Sequence, residues 1–393
     1  MFAYGIFEVI YAPRKAFKAI IQNPRYIGPI LIMILFIAAN TGFGYILASK
    51  SYYEQTLPSG AAPKYDKWTQ SKSWWTSNAS SISESNDSLS GGYYGNRSIE
   101  FDMINGKEIY MQVKFNQSVD CYGADGYTNM SFRIKMIYPN TTKLESASMY
   151  LFSSENETDY FKYNLTGYSF PSNNTLWNNL TIPIGLVSEW TSSNANANWS
   201  DIISLKYDFG LSENSNLTIR LTGLFFRGLF KSGIEESGFS SSLLGYSSSA
   251  LMDFVVTWVL LGGLIFLISK GLGSKAPWKP MLILVGFILV TLFVEVIIYI
   301  LLGANLPNLK YPLEYLGGTS SPGYQTALNK IAQDTAFASQ IESFVGIGVT
   351  LWIIGLCAFA IRQLSEFSWS KSLLIAVVAY FISAILISII SSL

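Results

Sequence analysis

Two residue types that carry much of enzyme chemistry are scarce in this chain. Its 393 residues include no histidine and only two cysteines, Cys121 and Cys357. Without histidine, the chain cannot form a Ser-His-Asp triad, a zinc site of mixed His and Cys ligands, or a His-based proton shuttle. A glycine-rich phosphate-binding loop is also missing from the sequence. We therefore expect no enzymatic activity, no cofactor and no metal.

Three polar residues fall inside long apolar runs: Asn40, Asp253 and Glu295. Charged side chains at membrane depth are rare and count as functional candidates by default. The helical rise of 1.5 Å per residue places all three in the outer half of their spans. We interpret Glu295 as a protonated packing residue that bonds Asn40 or a neighbour, and Asp253 as reaching interfacial water. A cation or proton site facing the bundle interior is the alternative.

The apolar runs predict a polytopic membrane protein. Half of the residues are hydrophobic and 13% are charged, whereas soluble domains carry about a quarter charged residues. About 20 apolar residues in a helix cross the hydrocarbon core. Runs of that length predict five transmembrane helices, at 27–48, 249–269, 281–302, 341–361 and 372–391.

Basic residues near the span ends predict the orientation, because Lys and Arg are retained on the cytoplasmic side. They precede the first span and fill the short connections between spans two and three and between spans four and five. The N-terminus is therefore expected inside and the C-terminus outside, with 49–248 and 303–340 extracellular. The basic residues that carry this prediction are Arg14, Lys15, Lys18, Arg25, Lys270, Lys275, Lys279, Arg362 and Lys371.

All the N-x-[ST] sequons of the chain lie in the segment predicted to be extracellular. Such sequons are acceptors for N-glycans on the surface of secreted regions. Their confinement to one segment agrees with the orientation read from the basic residues, and we expect covalent glycans on them. The twelve acceptors are Asn78, Asn86, Asn96, Asn116, Asn129, Asn140, Asn156, Asn164, Asn173, Asn179, Asn198 and Asn216.

Segment 1–26 reads as a cytoplasmic amphipathic stretch. Pro13 suits the first turn of a helix, and apolar Phe17 and Ile20 alternate with basic Lys15 and Lys18. This pattern predicts an interfacial helix on the membrane surface. After the first span, 49–97 is rich in Ser, Tyr, Trp and Gly, and we interpret it as an extracellular stalk.

Short runs with period-2 alternation fill 98–248, which we interpret as a β-sandwich and its return linker. Alternation separated by Asn, Ser, Gly and Pro clusters is typical of antiparallel sandwiches. About eight strands suit a jelly roll. The predicted strands are 98–102, 109–115, 128–138, 146–153, 159–166, 175–183, 199–209 and 216–226. The predicted fold class is a membrane α-helical bundle of five transmembrane helices plus an all-β extracellular jelly-roll sandwich.

The motifs of this region resemble galactose-binding-like domains and carbohydrate-binding modules. They are TLWNNLTIPI (175–184), WSDIISLKYDFG (199–210) and LTIRLTGLFFRG (217–228). The resemblance implies a jelly roll without fixing a ligand, and Thr222 stands where such domains often have Asp. We interpret Trp177 and Trp199 as core residues rather than sugar platforms.

The opening FEVIYAPRKAFKAIIQNPRYIGPILIMILF (7–36) resembles prokaryotic Yip1-domain proteins. That resemblance implies five spans with a cytoplasmic N-terminus, covering about 1–48 and 249–393. The signatures of eukaryotic Yip1 proteins are missing, so no small-GTPase partner is implied. The composition of the exterior suggests an archaeal source.

Three functions fit these features. The first is a glycosylated membrane scaffold or accessory protein, a subunit or partner in a cell-envelope complex, whose sandwich mediates protein or glycan contacts. The second is a cell-surface carbohydrate-binding receptor. The third is a transporter or channel subunit that uses Glu295. The expected partners are the lipid bilayer, covalent N-glycans and other envelope proteins. No nucleic-acid partner is expected, because a net charge of zero does not indicate a basic surface.

Overall fold

The computed structural model describes residues 2–58, 66–88, 95–139, 141–171, 176–186 and 189–391. The chain forms two compact units. One comprises Met1–Tyr52, Ser232–Leu309 and Ala332–Leu393, and the other comprises Tyr53–Lys231 and Lys310–Ile331. The first unit is helical and the second is a β-domain.

The α-helices lie before and after the main run of strands. In chain order they are α1 (Phe2–Tyr11), α2 (Pro13–Gln22), α3 (Ile27–Lys50), α4 (Gly233–Ser237), α5 (Phe239–Gly271), α6 (Trp278–Ile288), α7 (Val290–Ala304), α8 (Leu313–Leu316), α9 (Tyr324–Ser365) and α10 (Trp369–Ser391). All but α8 and the start of α9 belong to the helical unit.

Five helical stretches in the described residues are long and apolar enough to cross a membrane, which confirms the predicted number. They are Ile27–Lys50, Phe239–Gly271, Trp278–Ala304, Tyr324–Ser365 and Trp369–Ile390. Helix α9 begins 17 residues before the predicted fourth span at 341. The predicted extracellular loop 303–340 is therefore helical over its last part.

The first span packs at the centre of the helical unit. Helix α3 contacts α5, α6 and α7, and α5 also contacts α10. Close approach depends on Gly28 and Gly286, where an added Cβ would lie 1.9 Å from the ring of Phe287 and 2.6 Å from Pro29. By contrast, Gly348 has open space around it. The helical unit is therefore built around the first span.

The third span is interrupted at Leu289, where α6 ends and α7 begins. A break leaves backbone carbonyls that need other donors. At the break the hydroxyl of Thr291 donates to the carbonyl of Ile288 at 2.9 Å. Within α6, seven residues earlier, the indole of Trp258 donates to the carbonyl of Leu282 at 2.7 Å. This break was not expected from the unbroken apolar run.

The N-terminal helices pack on the helical unit. Pro13 begins α2 as predicted. The stripe that was expected to face lipid is covered by protein, because Phe17 and Ile20 are buried in the helical core and α2 contacts α6. Ile6 and Val9 of α1 are buried in the same core.

The strands form one antiparallel sheet. In chain order they are β1 (Ser51–Leu57), β2 (Trp75–Ser77), β3 (Ser81–Ser85), β4 (Ser98–Val119), β5 (Asn129–Ile137), β6 (Leu144–Phe152), β7 (Tyr160–Asn164), β8 (Asn178–Pro183), β9 (Trp190–Ser192), β10 (Ile202–Ser232) and β11 (Leu309–Tyr311).

Two long strands divide this sheet into two leaves. Strand β10 pairs β4 from Ile202 to Leu221, and its main register shifts lie between Gly210 and Leu217. Before the shifts it also pairs β6, and after them it pairs β5. We call the assembly of β2, β6, β7 and β9 with the adjoining halves of β4 and β10 the first leaf. The second leaf is β3, β5 and β8 with the other halves.

The leaves face each other, which confirms the predicted sandwich. Phe132 of the second leaf lies 4.9 Å from Tyr207 of the first, measured between ring centroids. Phe115 and Phe226 approach across the same interior at 5.4 Å. The same interior buries five alternating strand residues: Phe132, Ile134, Leu205, Tyr207 and Ile219.

The strand boundaries differ from those expected at two places. The runs 98–102 and 109–115 form one strand, β4, as 199–209 and 216–226 form β10, because a bulged strand crosses the intervening turn residues without reversing. The range 49–97, expected to be a stalk, contributes β1, β2 and β3. Of these, β2 and β3 pair with β4, so this range is part of the sandwich.

Candidate functional site

The outer side of the first leaf carries a row of rings and amines. Leu205 and Tyr207 of β10 point into the core, so Lys206 points outward. Register places Lys206 opposite Tyr150 of β6, and Tyr150 opposite Lys162 of β7. We call this surface, with Tyr110 and Tyr160, the tyrosine–lysine face.

The amines of this face lie against the rings. The Nζ of Lys206 is 5.1 Å from the ring centroid of Tyr110 and 5.5 Å from that of Tyr150. The Nζ of Lys162 is 5.4 Å from Tyr150 on the side of β7. These distances are within the range of cation–π attraction. The ring of Tyr150 also meets that of Tyr160 edge-on at 5.4 Å, so the rings are held in fixed positions.

Polar groups of both signs border these rings. The amide of Gln112 donates to the carboxylate of Glu157 at 2.7 Å, and Asp208 lies 3.6 Å from the Nζ of Lys206. A small cleft of about 60 Å³ beside them is lined in part by Lys114, Glu157 and Ser204. Rings combined with donors and acceptors suit a ligand rich in hydroxyl groups, which stacks on the rings and bonds to the polar groups.

The outer side of the second leaf is covered. Arg133 and Lys135 point outward from β5 yet are 4% and 9% exposed. The Nζ of Lys135 lies 2.7 Å from Asp87, and Arg220 bonds both Asp87 and Glu100. The segment before β4 therefore closes this side with ion pairs.

These ion pairs shift the ionisation of the carboxylates. Burial alone would raise the pKa of Asp87, but the hydrogen bonds and charges of Lys135 and Arg220 outweigh it and hold that pKa below its ordinary value. In the same domain, Asp66 is fully buried, and burial raises its pKa to about 6 against the opposing hydrogen bonds of Thr69 and Leu224. Asp66 orders the chain before β2 rather than facing any open surface.

A second ion cluster closes the far end of the same side. Arg227 bonds Glu54 of β1 at 2.8 Å and Glu314 of α8 at 2.7 Å. The backbone amide of Leu313 donates to Glu54 at 2.6 Å. Burial disfavours the charge of Arg227, yet its bonds to Glu314 and Glu54 raise its pKa overall. Segments far apart in sequence are thus tied together within the β-domain.

The sequon asparagines of the described ranges lie at the surface of the β-domain. Nine of them are exposed and Asn129 is half-buried. Asn140 and Asn173 fall outside the described residues. Asn164 follows Lys162 on the same side of β7, and Asn116 follows Lys114 on β4, so two sequons border the tyrosine–lysine face. The nine exposed ones are Asn78, Asn86, Asn96, Asn116, Asn156, Asn164, Asn179, Asn198 and Asn216.

The three polar residues of the spans have separate surroundings. The hydroxyl of Tyr299 donates to Glu295 at 2.7 Å. A Cβ at Gly346 of α9 would lie 3.7 Å from the same Glu295 oxygen. Asn40 is half-buried on α3, and Asp253 is exposed on α5. Among the described residues no hydrogen bond joins Glu295 to Asn40 or Asp253.

Sequence reasoning missed the tyrosine–lysine face. From the sequence, only Trp177 and Trp199 are candidates for sugar platforms, and both are interpreted as core residues. Trp199 is buried and stacks on Phe161 at 3.8 Å between ring centroids. Trp177 is half-buried, with the Nζ of Lys135 at 5.8 Å. The alternation itself carried the signal for this face. Lys206 and Tyr150 each lie between two apolar residues that point into the core, so both are predicted to point outward.

Comparisons with known proteins found one family model and several solved structures of low similarity. A Yip1 domain model matches residues 215–391. Among solved structures, the chain is similar to a family 11 carbohydrate-binding module from Clostridium thermocellum in complex with a β-1,3-1,4-mixed-linked tetrasaccharide. Identity is 14%, coverage is 44% of this chain and 94% of that chain, and the TM-score is 0.27.

Two further structures are similar at the same level. One is the Clostridium thermocellum xylanase 10B, with its CBM22-1 and GH10 modules and xylohexaose. It shows 11% identity and a TM-score of 0.27, with coverage of 42% of this chain and 28% of that chain. The other is a β-1,2-glucanase from Parabacteroides distasonis, with 15% identity, a TM-score of 0.26, and coverage of 40% and 23%. No curated relative of similar sequence was found.

Identities and TM-scores this low give no basis for assigning a ligand. The Yip1 match begins in the second half of β10 and includes the last four of the five candidate spans. The first span lies outside the match. The chain thus combines a region similar to the Yip1 membrane domain with a β-sandwich that resembles carbohydrate-binding modules.

Proposed function

We propose that this chain is a glycosylated integral membrane accessory protein whose sandwich binds glycans of the cell envelope. The observation that carries the proposal is the tyrosine–lysine face. Lys206 lies between the rings of Tyr110 and Tyr150, and Lys162 lies on the far side of Tyr150. Half-buried rings with fixed amines beside them form a preorganised polar and aromatic surface.

The contrast between the two leaves locates the proposed site. Outward side chains of the second leaf are already paired with Asp87, Glu100 and Glu314. A ligand there would have to displace ion pairs, whereas the rings and amines of the first leaf are accessible without any rearrangement. The ligand is therefore assigned to the first leaf.

The proposed placement is extracellular. Basic residues at the span ends favour a cytoplasmic N-terminus, and the sequons all lie in the β-domain. Glycans attached at Asn116 and Asn164 would border the face without replacing its rings. A ligand would then enter from the side away from these two asparagines.

A binding role fits the chain better than catalysis or transport. The tyrosine–lysine face has no histidine and no nucleophile–base pair among its described residues. An ion site at Glu295 is disfavoured because the hydroxyl of Tyr299 already occupies one of its oxygens and the helix at Gly346 lies beside it.

The proposal is tested with the full chain in lipid nanodiscs on an array of immobilised polysaccharides. We expect wild type to retain at least one polysaccharide and Tyr150→Ala to weaken that binding roughly tenfold, since a ring contact contributes about 1 kcal/mol beyond its burial. Tyr122→Ala is the matched control, because this tyrosine is 54% exposed and lies off the face. Failure of wild type to bind any glycan, or full binding by Tyr150→Ala, would overturn the proposal.

A further inference from the structure

A groove of about 290 Å³ lies between α5 and α10 in the helical unit. Its polar side is formed by Ser248, Ser249 and Asp253 of α5. Its apolar side includes Ile387 and Ile390 of α10. The groove therefore combines a charged end with a hydrocarbon wall, as an amphiphile would require.

The groove lies near the middle of α5 and at the C-terminal end of α10. The Nζ of Lys371, in the first turn of α10, donates to the carbonyl of Leu272 just after α5, and this bond fixes the basic ends of the two helices together. Asp253 is 17 residues from Lys270, or about 25 Å along the axis, and Ile387 is 16 residues from Lys371, or about 24 Å. The groove is thus nearly one hydrocarbon thickness from the basic ends, at the level where lipid head groups meet their chains.

Asp253 has no ion-pair partner among the described residues of the chain. It is exposed on the groove wall. A carboxylate at the head-group level that has no ion-pair partner in the described residues is available to a cationic ligand.

The acceptors of the groove match the donors of a primary ammonium. Such a group has three N–H donors. Asp253 and the hydroxyl oxygens of Ser248 and Ser249 are three acceptors. The hydroxyl of Ser248 donates to the carbonyl of Gly245 at 3.0 Å, so its oxygen lone pairs remain available as acceptors. One carboxylate with two hydroxyls is too weak a set for a divalent ion, which prefers six or more oxygen ligands.

We propose that this groove binds a membrane lipid that has a primary ammonium head group. The ammonium pairs with Asp253 and the two serines, and an acyl chain runs from Ile387 past Val256 towards the basic ends of the two helices. A quaternary ammonium has no N–H donors and is excluded from the same hydrogen bonds. The groove therefore discriminates between lipids by their head groups.

The test reconstitutes the full chain in nanodiscs of equal parts phosphatidylethanolamine and phosphatidylcholine. The lipid that stays bound after mild detergent extraction is then quantified by native mass spectrometry. We expect wild type to retain phosphatidylethanolamine about tenfold over phosphatidylcholine, because one charge-assisted hydrogen-bonded contact contributes on that order. Asp253→Asn keeps the shape of the side chain and should reduce the preference to about one. Glu366→Gln, an exposed carboxylate after α9, is the matched control and should retain it.

Soluble glycerophosphoethanolamine is added in a second arm. Competition by it at low concentration would show that the head group alone is bound and would overturn the role of the acyl chain. Equal retention of the two lipids by wild type, or an unchanged preference in Asp253→Asn, would overturn the site. A wild-type oligomer that Asp253→Asn dissociates, without any lipid preference, would assign the groove to a partner helix and would also overturn it.

Discussion

The two leaves of the sandwich have the same alternating pattern and opposite exteriors. On the first leaf, Lys206 and Tyr150 face outward and remain accessible. On the second leaf, Arg133 and Lys135 face outward but are buried beneath other segments of the β-domain. Alternation therefore shows which side chains point away from the core. The ion pairs determine which leaf has its outer surface covered by other segments. A surface that is still open after folding is the one available for a ligand.

The largest effect is expected from the core that both leaves share. Phe132 is 1% exposed and packs on Tyr207 of the opposite leaf. Phe132→Asp places an unpaired charge between the leaves and should destabilise the β-domain by about 4 kcal/mol or more. The change is read as the loss of the cooperative β-domain transition in thermal melting of the full chain. A folded Phe132→Asp sandwich would show that the strand register is wrong.

The next largest effect should distinguish the closed side from the open one. Arg227→Gln leaves Glu54 and Glu314 buried without their cation and should cost about 3–5 kcal/mol. Lys162→Gln on the tyrosine–lysine face is the control and should change stability by less than about 0.5 kcal/mol. Denaturant unfolding of the full chain in detergent, followed by tryptophan fluorescence, compares the two. Equal losses would show that the two sides do not differ as described.

Acid should weaken the closed side. Burial would raise the pKa of Glu314, but the hydrogen bond and charge of Arg227 hold it below its ordinary value. A carboxylate with a lowered pKa stabilises the fold above its unfolded pKa of about 4.3, and this contribution is lost as the pH falls through the folded value. Asp66, with its pKa raised to about 6, acts in the opposite direction between about pH 4 and 6.

Melting from pH 7 to pH 3 measures both contributions. We expect Arg227→Gln to lose less stability than wild type below about pH 4.5, since the favourable pair with Glu314 is already gone. An identical acid dependence in the two proteins would contradict the assignment of this pair to the stability of the closed side.

The smallest effect on stability is expected at the sequons, which lie on both leaves. Asn164→Gln on the first leaf and Asn179→Gln on the second replace exposed side chains and should each change stability by less than about 0.5 kcal/mol. Intact-glycopeptide mass spectrometry should find glycans at most of the twelve sequons and at no other asparagine. Fewer than about four occupied sites would contradict the extracellular placement, which sequons support.

The sequence predicted the spans and the sandwich because both depend on local periodicity. It did not predict that 98–119 forms one continuous strand, β4, because the residues of a β-bulge have the same composition as those of a turn. Nor did it predict that Arg227 joins Glu314, which lies 87 residues away and depends on how the segment after α7 folds. The sequence predicted the depth of Asp253 and Glu295 but not their side-chain neighbours, since a contact such as that of Glu295 with Tyr299 follows from helix packing.

The most direct test locates a bound glycan on one leaf. Hydrogen–deuterium exchange of the full chain is measured with and without the polysaccharide that binds most strongly on the array. We expect new protection in β6, β7 and the first half of β10, which carry Tyr150, Lys162 and Lys206, and no change in β5 or β8. Protection confined to β5 and β8 would contradict the central claim that the open leaf binds the ligand.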